Sequence, residues 1–325
     1  MCKKLVVILF FIICISCLFS PVDYAADTEK REILNQWCLD IIKAPYDMAA
    51  GDHPVKIAVI DSGIWADNPH IQKERIAQGY NYVFSSTVTN DLIGHGSRTA
   101  GIIIGGRTES CELIGMGSHA ELVPLVWISK YPSGVLANGG ISALCSAIKD
   151  AVDIYGCRII NVSSGISSDD EALREAVEYA EEKGVIVISA AGNSNQYAPD
   201  KIFYPAAYET VVGVGSVNED MCVSDFSQRN SGVTVTAPGE KVYSISADPS
   251  KGFVQISGTS YSAAYVSGFA ALLLSKYPEM SLAEFRQILI ETSQDLGEKG
   301  YDSAYGYGIV SVSDGLEYCK EKMGK

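Results

Sequence analysis

Apolar residues in this chain fall into two kinds of run that take turns along it. Short, nearly unbroken runs read as strands buried on both faces, because a strand of a parallel sheet covered by helices has no polar side. The first is 55–60, apolar but for Lys56, and others follow at 121–128, 158–163, 185–189, 211–217 and 233–237. Between them lie stretches with helical spacing. Ile141, Leu144, Cys145, Ile148 and Val152 share one helix face. Leu173, Ala176, Val177 and Ala180 share another within 169–183, and Gly184 stops that helix. The alternation predicts an α/β fold, a single three-layer α/β/α domain on a mostly parallel central sheet. Near the end a short β-type run, Val254-Gln255-Ile256, passes through Ser257-Gly258-Thr259-Ser260 into an Ala- and Leu-rich run, Phe269 to Leu274, that reads as a buried helix.

The loops after the strands carry the candidate chemistry. Asp61 ends the first strand, where α/β sheets place ligand and catalytic groups; without context an Asx turn before Gly63 is the readier explanation. His95 stands between Gly94 and Gly96 at the start of a small apolar helical run. That flanking implies close backbone packing around a required imidazole, against a plain turn or capping histidine. His53, His70 and His119 sit among turn-forming residues and read as surface positions. Asn193 follows Ala190-Ala191-Gly192 at another strand end. Ser260 opens the last helix, either as its N-cap or as a nucleophile whose oxyanion forms beside free N–H groups. In one site the four residues have complementary roles. His95 takes the Ser260 proton and returns it to a leaving amine. Asp61 fixes the imidazole tautomer, and the Asn193 amide donates to the oxyanion.

Composition narrows the setting. The chain has 325 residues, 47% hydrophobic, and a formal net charge of −14. An acidic balance argues against nucleic acid or an anionic membrane surface as partner. Residues 1–26 have a signal-peptide layout: Lys3 and Lys4, an apolar run from Leu5 to Ile15, and a cleavage site at Ala25-Ala26. The expected location is secreted or extracytoplasmic; left uncleaved, the leader would anchor the chain in a membrane. Cys14 spoils a lipoprotein signal around Cys17. Residues 27–43 are mixed and polar and read as an arm lying on the surface. Six cysteines lie beyond the leader. Their even number permits disulfides in an exported chain, but nothing specifies a pairing and no two show metal-type spacing. Cys145, on an apolar helix face, reads as a buried free thiol.

The sequence resembles the subtilisin-like serine peptidases, the subtilases. The resemblance rests on Ala58-Val59-Ile60-Asp61-Ser62-Gly63, on Gly94-His95-Gly96 with Ala100-Gly101, on Ala191-Gly192-Asn193, and on Ser257-Gly258-Thr259-Ser260, in the family's order Asp, His, Ser. It spans about residue 36 to residue 316. It implies a subtilisin-like fold and endopeptidase hydrolysis of a polypeptide substrate by a monomer, through an acyl-enzyme on Ser260. Asp61, His95 and Ser260 match the triad, and Asn193 the oxyanion side chain. Ser163, Ser164 and Gly165 match the edge that pairs with the substrate backbone. With Ala190, Ala191 and Gly192 they line the pocket for the residue before the cut.

The departures are specific. Arg98 stands where the family has a second histidine, and Ala264-Tyr265 replaces Pro-His. Asn68-Pro69-His70 replaces a stretch that often carries a calcium-binding Asp, so no metal site is predicted, and the chemistry requires no cofactor. The peptidase region, 27–325, begins at the leader's end, so no pro-domain is expected. Two alternatives stand beside a general secreted endopeptidase: a processing enzyme dedicated to one peptide precursor, and a catalytically silent binding protein on the same fold. Transfer of the acyl group to an amine, in place of water, is not separable from hydrolysis by sequence.

Overall fold

The computed structural model describes residues 31–324; the predicted leader, and the part of the predicted arm before residue 31, lie outside them. In chain order, β1 (Glu32–Leu34) and α1 (Gln36–Ile41) lead into β2 (Lys56–Asp61) and the short β3 (Tyr80–Asn81). The helix α2 (His95–Ile104) is followed by β4 (Gly106–Arg107), β5 (Cys111–Leu113) and β6 (Glu121–Val126), then by the hairpin β7 (Ile128–Lys130) and β8 (Leu136–Asn138). Next come α3 (Gly140–Asp153), β9 (Ile159–Val162), α4 (Glu171–Glu182), β10 (Ile186–Ala190), β11 (Val211–Val217) and β12 (Val235–Pro238). A second hairpin, β13 (Val242–Ile245) with β14 (Phe253–Ile256), precedes α5 (Thr259–Lys276), α6 (Leu282–Thr292) and α7 (Val312–Lys322).

The seven-stranded central sheet has the order β12-β11-β10-β9-β2-β6-β3, and every pairing in it is parallel. Alternate residues of each strand supply two separate cores, as the pleat requires. Ile57, Val59, Ile186 and Ile188 face α2 and α5; Ala58, Ile60, Val162 and Val187 face α3 and α4. The fold is thus three-layered, subtilisin-like α/β/α. The helix α5 is buried along nearly its whole length, from Thr259 to Ser275, which is why its sequence carries no polar stripe. At Gly268 a methyl would come within 2.4 Å of Met116, so α5 can lie this close only with glycine there.

The segment expected as a surface arm is instead part of the core. Cys38, Leu39 and Ile42 are fully or almost fully buried, and β1 pairs in parallel with β5. Asn35 holds the segment down. Its amide accepts from Tyr243 N at 2.6 Å and donates to Tyr243 O at 2.6 Å and to the Tyr265 hydroxyl at 3.2 Å. This explains the Tyr that replaces the family's His: its hydroxyl reaches from α5 to the arm. The arm's far end is tied to α7. Val312 N donates to Ile42 O, Ser313 Oγ donates to Lys43 O, and Lys43 pairs with Asp314. Polar composition misled because α1 is only six residues long, too short to show a repeat.

All six cysteines beyond the leader are free thiols, and burial pushes those of Cys38, Cys145, Cys157 and Cys319 up. His119, expected at the surface, is half-buried with Nε2 3.1 Å from Ala271 O, and burial lowers its pKa. No helix of the described residues is long and apolar enough to cross a membrane.

Candidate active site

The C-terminal ends of β2, β9 and β10 and the N-termini of α2 and α5 meet at one edge of the sheet, as open α/β sheets arrange their sites. Asp61 ends β2 and is 4% exposed. His95 is the first residue of α2, and its Nδ1 lies 2.8 and 2.9 Å from the two Asp61 carboxylate oxygens. A carboxylate can only accept, so Nδ1 carries the proton and Nε2 presents a lone pair. Asp61 also accepts from Ser62 N at 2.6 Å and from Thr99 Oγ1 at 3.2 Å. It forms no Asx turn; its oxygens are all directed at the site. Burial works to lower the His95 pKa. The charge and hydrogen bond of Asp61, with Asp91 adding to them, outweigh burial and the opposing Arg98, and the imidazole sits above its ordinary 6.5.

Both glycines around His95 are needed. Gly94 caps α2 at φ +90°, and a methyl there would stand 2.6 Å from Ala247 Cβ. At Gly96 a methyl would be 2.2 Å from Gly63 O. The helix start has no local side-chain cap. It is held from outside by two groups that the sequence did not advertise. Ser62 Oγ accepts from Gly96 N at 2.9 Å, and Asp91 Oδ2 accepts from Ser97 N at 2.8 Å. Asp91 Oδ1 further accepts from Ser62 Oγ, Ile93 N and Gly94 N. Asp91 thus locks the His95 helix to the Asp61 loop, a use of a carboxylate at a helix N-terminus that also suits the dipole.

Ser260 does not cap its helix. Gly258 is the N-cap of α5, Thr259 opens it, and Ser260 occupies the second position, whose N–H has no intrahelical acceptor. The Ser260 hydroxyl donates to Ser163 O at 3.0 Å. Its hydrogen bond therefore goes to the end of β9 and not to His95. Asn193 is fixed by its oxygen, which accepts from Thr259 N and Thr259 Oγ1, both at 2.9 Å. That leaves its NH2 group as a donor at the mouth of α5. Gln228 organises the loop behind Asn193: it accepts from Ser194 N and donates to Ala198 O, Pro199 O and Lys201 O. Neither Asp91 nor Gln228 had a spacing signature, since each acts on backbone groups within loops.

Ser163, Ser164 and Gly165 leave β9 beside Ala190, Ala191 and Gly192, which leave the adjacent β10. Asn161, fully buried, ties this edge to α5, donating to Ser163 Oγ and accepting from Ser267 Oγ. Gly165 packs against Tyr204 O and Gly192 against the Phe203 ring. At the stretch where the family often carries a calcium-binding Asp, this chain places a buried Asn68 in protein hydrogen bonds. Asn68 is 3% exposed; its oxygen accepts from His70 N and its amide donates to Ser246 O.

Comparison with known proteins shows the family. The subtilase family matches residues 52–308. Subtilisin DY from Bacillus licheniformis is 33% identical over 277 residues, covering 84% of this chain and 96% of that protein. The minor extracellular protease Epr of Bacillus subtilis is 32% identical over 285 residues, 87% of this chain and 42% of its own length. A lanthipeptide protease crystal structure superposes with a TM-score of 0.73 at 28% identity, over 87% of this chain and 93% of that one.

Proposed function

This chain belongs to the subtilase family and is a subtilisin-like serine endopeptidase acting on polypeptides, and from that premise we propose that it works through a covalent acyl-enzyme on Ser260. The observation that carries the reading is the Asp61–His95 pair at 2.8 Å, which leaves Nε2 as a base, together with a serine at the mouth of α5 that is not used as a cap. In the proposed sequence Ser260 Oγ turns from Ser163 O toward Nε2 and attacks the scissile carbonyl carbon, and its proton passes to His95. The oxyanion is held by the Asn193 amide and the Ser260 N–H. The C–N bond breaks as His95 gives the proton to the leaving amine. Water, deprotonated by the same imidazole, then splits the ester and restores Ser260. Asp61 stays ionised and supports the imidazolium.

The substrate backbone is proposed to run along Ser163–Gly165, with the residue before the cut between that edge and Ala190–Gly192. Small residues on both walls support an open pocket. The signal-peptide layout of residues 1–26 and the likeness to an extracellular protease support action outside the cytoplasm. Likeness to a lanthipeptide protease gives some support to a narrower role, maturation of one precursor. A peptide-library cleavage profile separates the two: cleavage of many unrelated sequences argues against the narrow role.

The reading is tested by covalent labelling with a fluorophosphonate probe. The wild-type chain is expected to label and Ser260→Ala not to. A folded wild type that takes no label would sink the acyl-enzyme reading. Asn193→Ala is expected to lower kcat by about 10²- to 10³-fold with KM little changed, a magnitude taken from subtilisin itself. Loss confined to KM would assign Asn193 to ground-state binding instead.

A further inference from the structure

Arg98 is an arginine with unused donors beside the proposed catalytic base. It lies on α2 one turn after His95, half-buried, with its guanidinium folded back over Gly94; a methyl on that glycine would stand 3.4 Å from Nη2 and 3.7 Å from Cζ. The Tyr261 ring lies 5.6 Å from the His95 ring. Other partly buried arginines are satisfied: Arg158 donates to Gly184 O, Pro278 O and Met280 O, and Arg286 donates to Val211 O. Arg98 is not. Its Nε is buried with no partner, and among the described residues no carboxylate forms an ion pair with it. A buried unpaired donor on a cation is costly and is expected to have a partner in the working state.

The reaction places that partner. His95 must hand its proton to the leaving amine, so the residue just after the cut lies against the imidazole. Tyr261 borders the imidazole, and the Arg98 guanidinium lies over Gly94, the residue before His95. The acyl side runs the other way, along Ser163–Gly165, whose carbonyl already touches Ser260 Oγ. We propose that Arg98 determines specificity on the leaving-group side, receiving the side-chain carboxylate of an Asp or Glu immediately after the scissile bond. The planar guanidinium suits a carboxylate, and such charge-assisted bonds are about twice as strong as neutral ones. This rests on the assignment of His95 and Ser260 as the reacting pair.

The test uses the full chain and a set of internally quenched peptides, amidated at the C-terminus and identical except for the residue after the cut. That residue is Glu, Asp, Gln, Ala or Lys, and the bond cleaved is confirmed by mass spectrometry. Amidation leaves the varied side chain as the one carboxylate that differs. Glu is expected to exceed Lys about tenfold or more in kcat/KM, the scale of one charge-assisted contact. Arg98→Gln should bring the Glu-to-Lys ratio close to one, and Arg98→Lys should keep its direction at a smaller size. A merely structural role would lower every peptide together and leave the ratio unchanged in both variants. Wild type that cleaves the Glu and Lys peptides equally well overturns the proposal. So does a ratio that survives Arg98→Gln. If no peptide is cleaved and Ser260 takes no fluorophosphonate, the peptidase mechanism itself fails; cleavage without acidic preference defeats the Arg98 assignment alone.

Discussion

Ser260→Ala is expected to lower kcat about a millionfold, the loss known for the nucleophile of subtilisin itself, with KM nearly unchanged. The fold should survive. Ser260 Oγ makes a single hydrogen bond, to Ser163 O, and the helix cap is Gly258. Deleting that hydroxyl leaves one carbonyl short of a donor, a cost of about 1 kcal/mol, and no cavity larger than one oxygen. Unfolding by denaturant should therefore show a midpoint close to wild type. What remains of the rate comes from the oxyanion donors and from substrate positioning, which the variant keeps. His95→Ala, and both changes together, should lose about as much as Ser260→Ala alone, because the residues act as a unit. A Ser260→Ala protein that kept a hundredth of wild-type turnover would mean that another group is the nucleophile.

Asp61→Asn should cost about 10⁴-fold in kcat, the size of loss known when the buried carboxylate of a serine-protease triad is made an amide. Asp61 does three things at once. It accepts from Nδ1, from Ser62 N and from Thr99 Oγ1. An amide can turn its NH2 group toward Nδ1, which moves the imidazole proton to Nε2 and removes the base. The pH profile carries the second signature. In the wild type the working form is neutral His95, so activity rises with pH through a value above 6.5. Without the Asp61 charge, burial and Arg98 both act to lower that value, and the acid limb should move toward lower pH. For stability the same wild-type shift has the opposite sign. A pKa raised on folding stabilises the fold below the unfolded imidazole pKa, and that contribution is lost as pH rises through the folded value. A variant within tenfold of wild type, with an unmoved acid limb, would refute the orienting role of Asp61.

The sheet and its helices were legible because parallel strands covered on both faces must be apolar at every position, and such runs stand out. The strands β2, β9, β10, β11 and β12 appear where the pattern places them, to within two residues. His95 was legible through its glycines, each of which the structure holds against backbone or side chain at close range. Asp61, Asn193 and Ser260 could be singled out only by order and neighbours, since each has an ordinary turn or cap explanation. What escaped was polar and short. The hairpin of β7 with β8, and β13 opposite the β-type run 254–256, have three or four residues per strand, too few for an alternation to declare itself. Asn35, Asp91 and Gln228 act largely on backbone N–H and C=O groups, for which no side-chain partner of fixed type is required. The burial of residues 38–42 depends on α7 and Tyr265, contacts from the far end of the chain.

Those contacts set an order of events during synthesis. Asn35 bonds Tyr265 across 230 positions, and Lys43 bonds Asp314 across 271. A ribosome adding about 5–20 residues per second needs roughly 14–54 s to pass from one end of that last pair to the other. Through that interval the arm can pair with β5 but not with α7, and closures of this length are slow in any case. The support that the arm and α7 together give the helix that carries Ser260 is therefore complete only once residue 314 has been added.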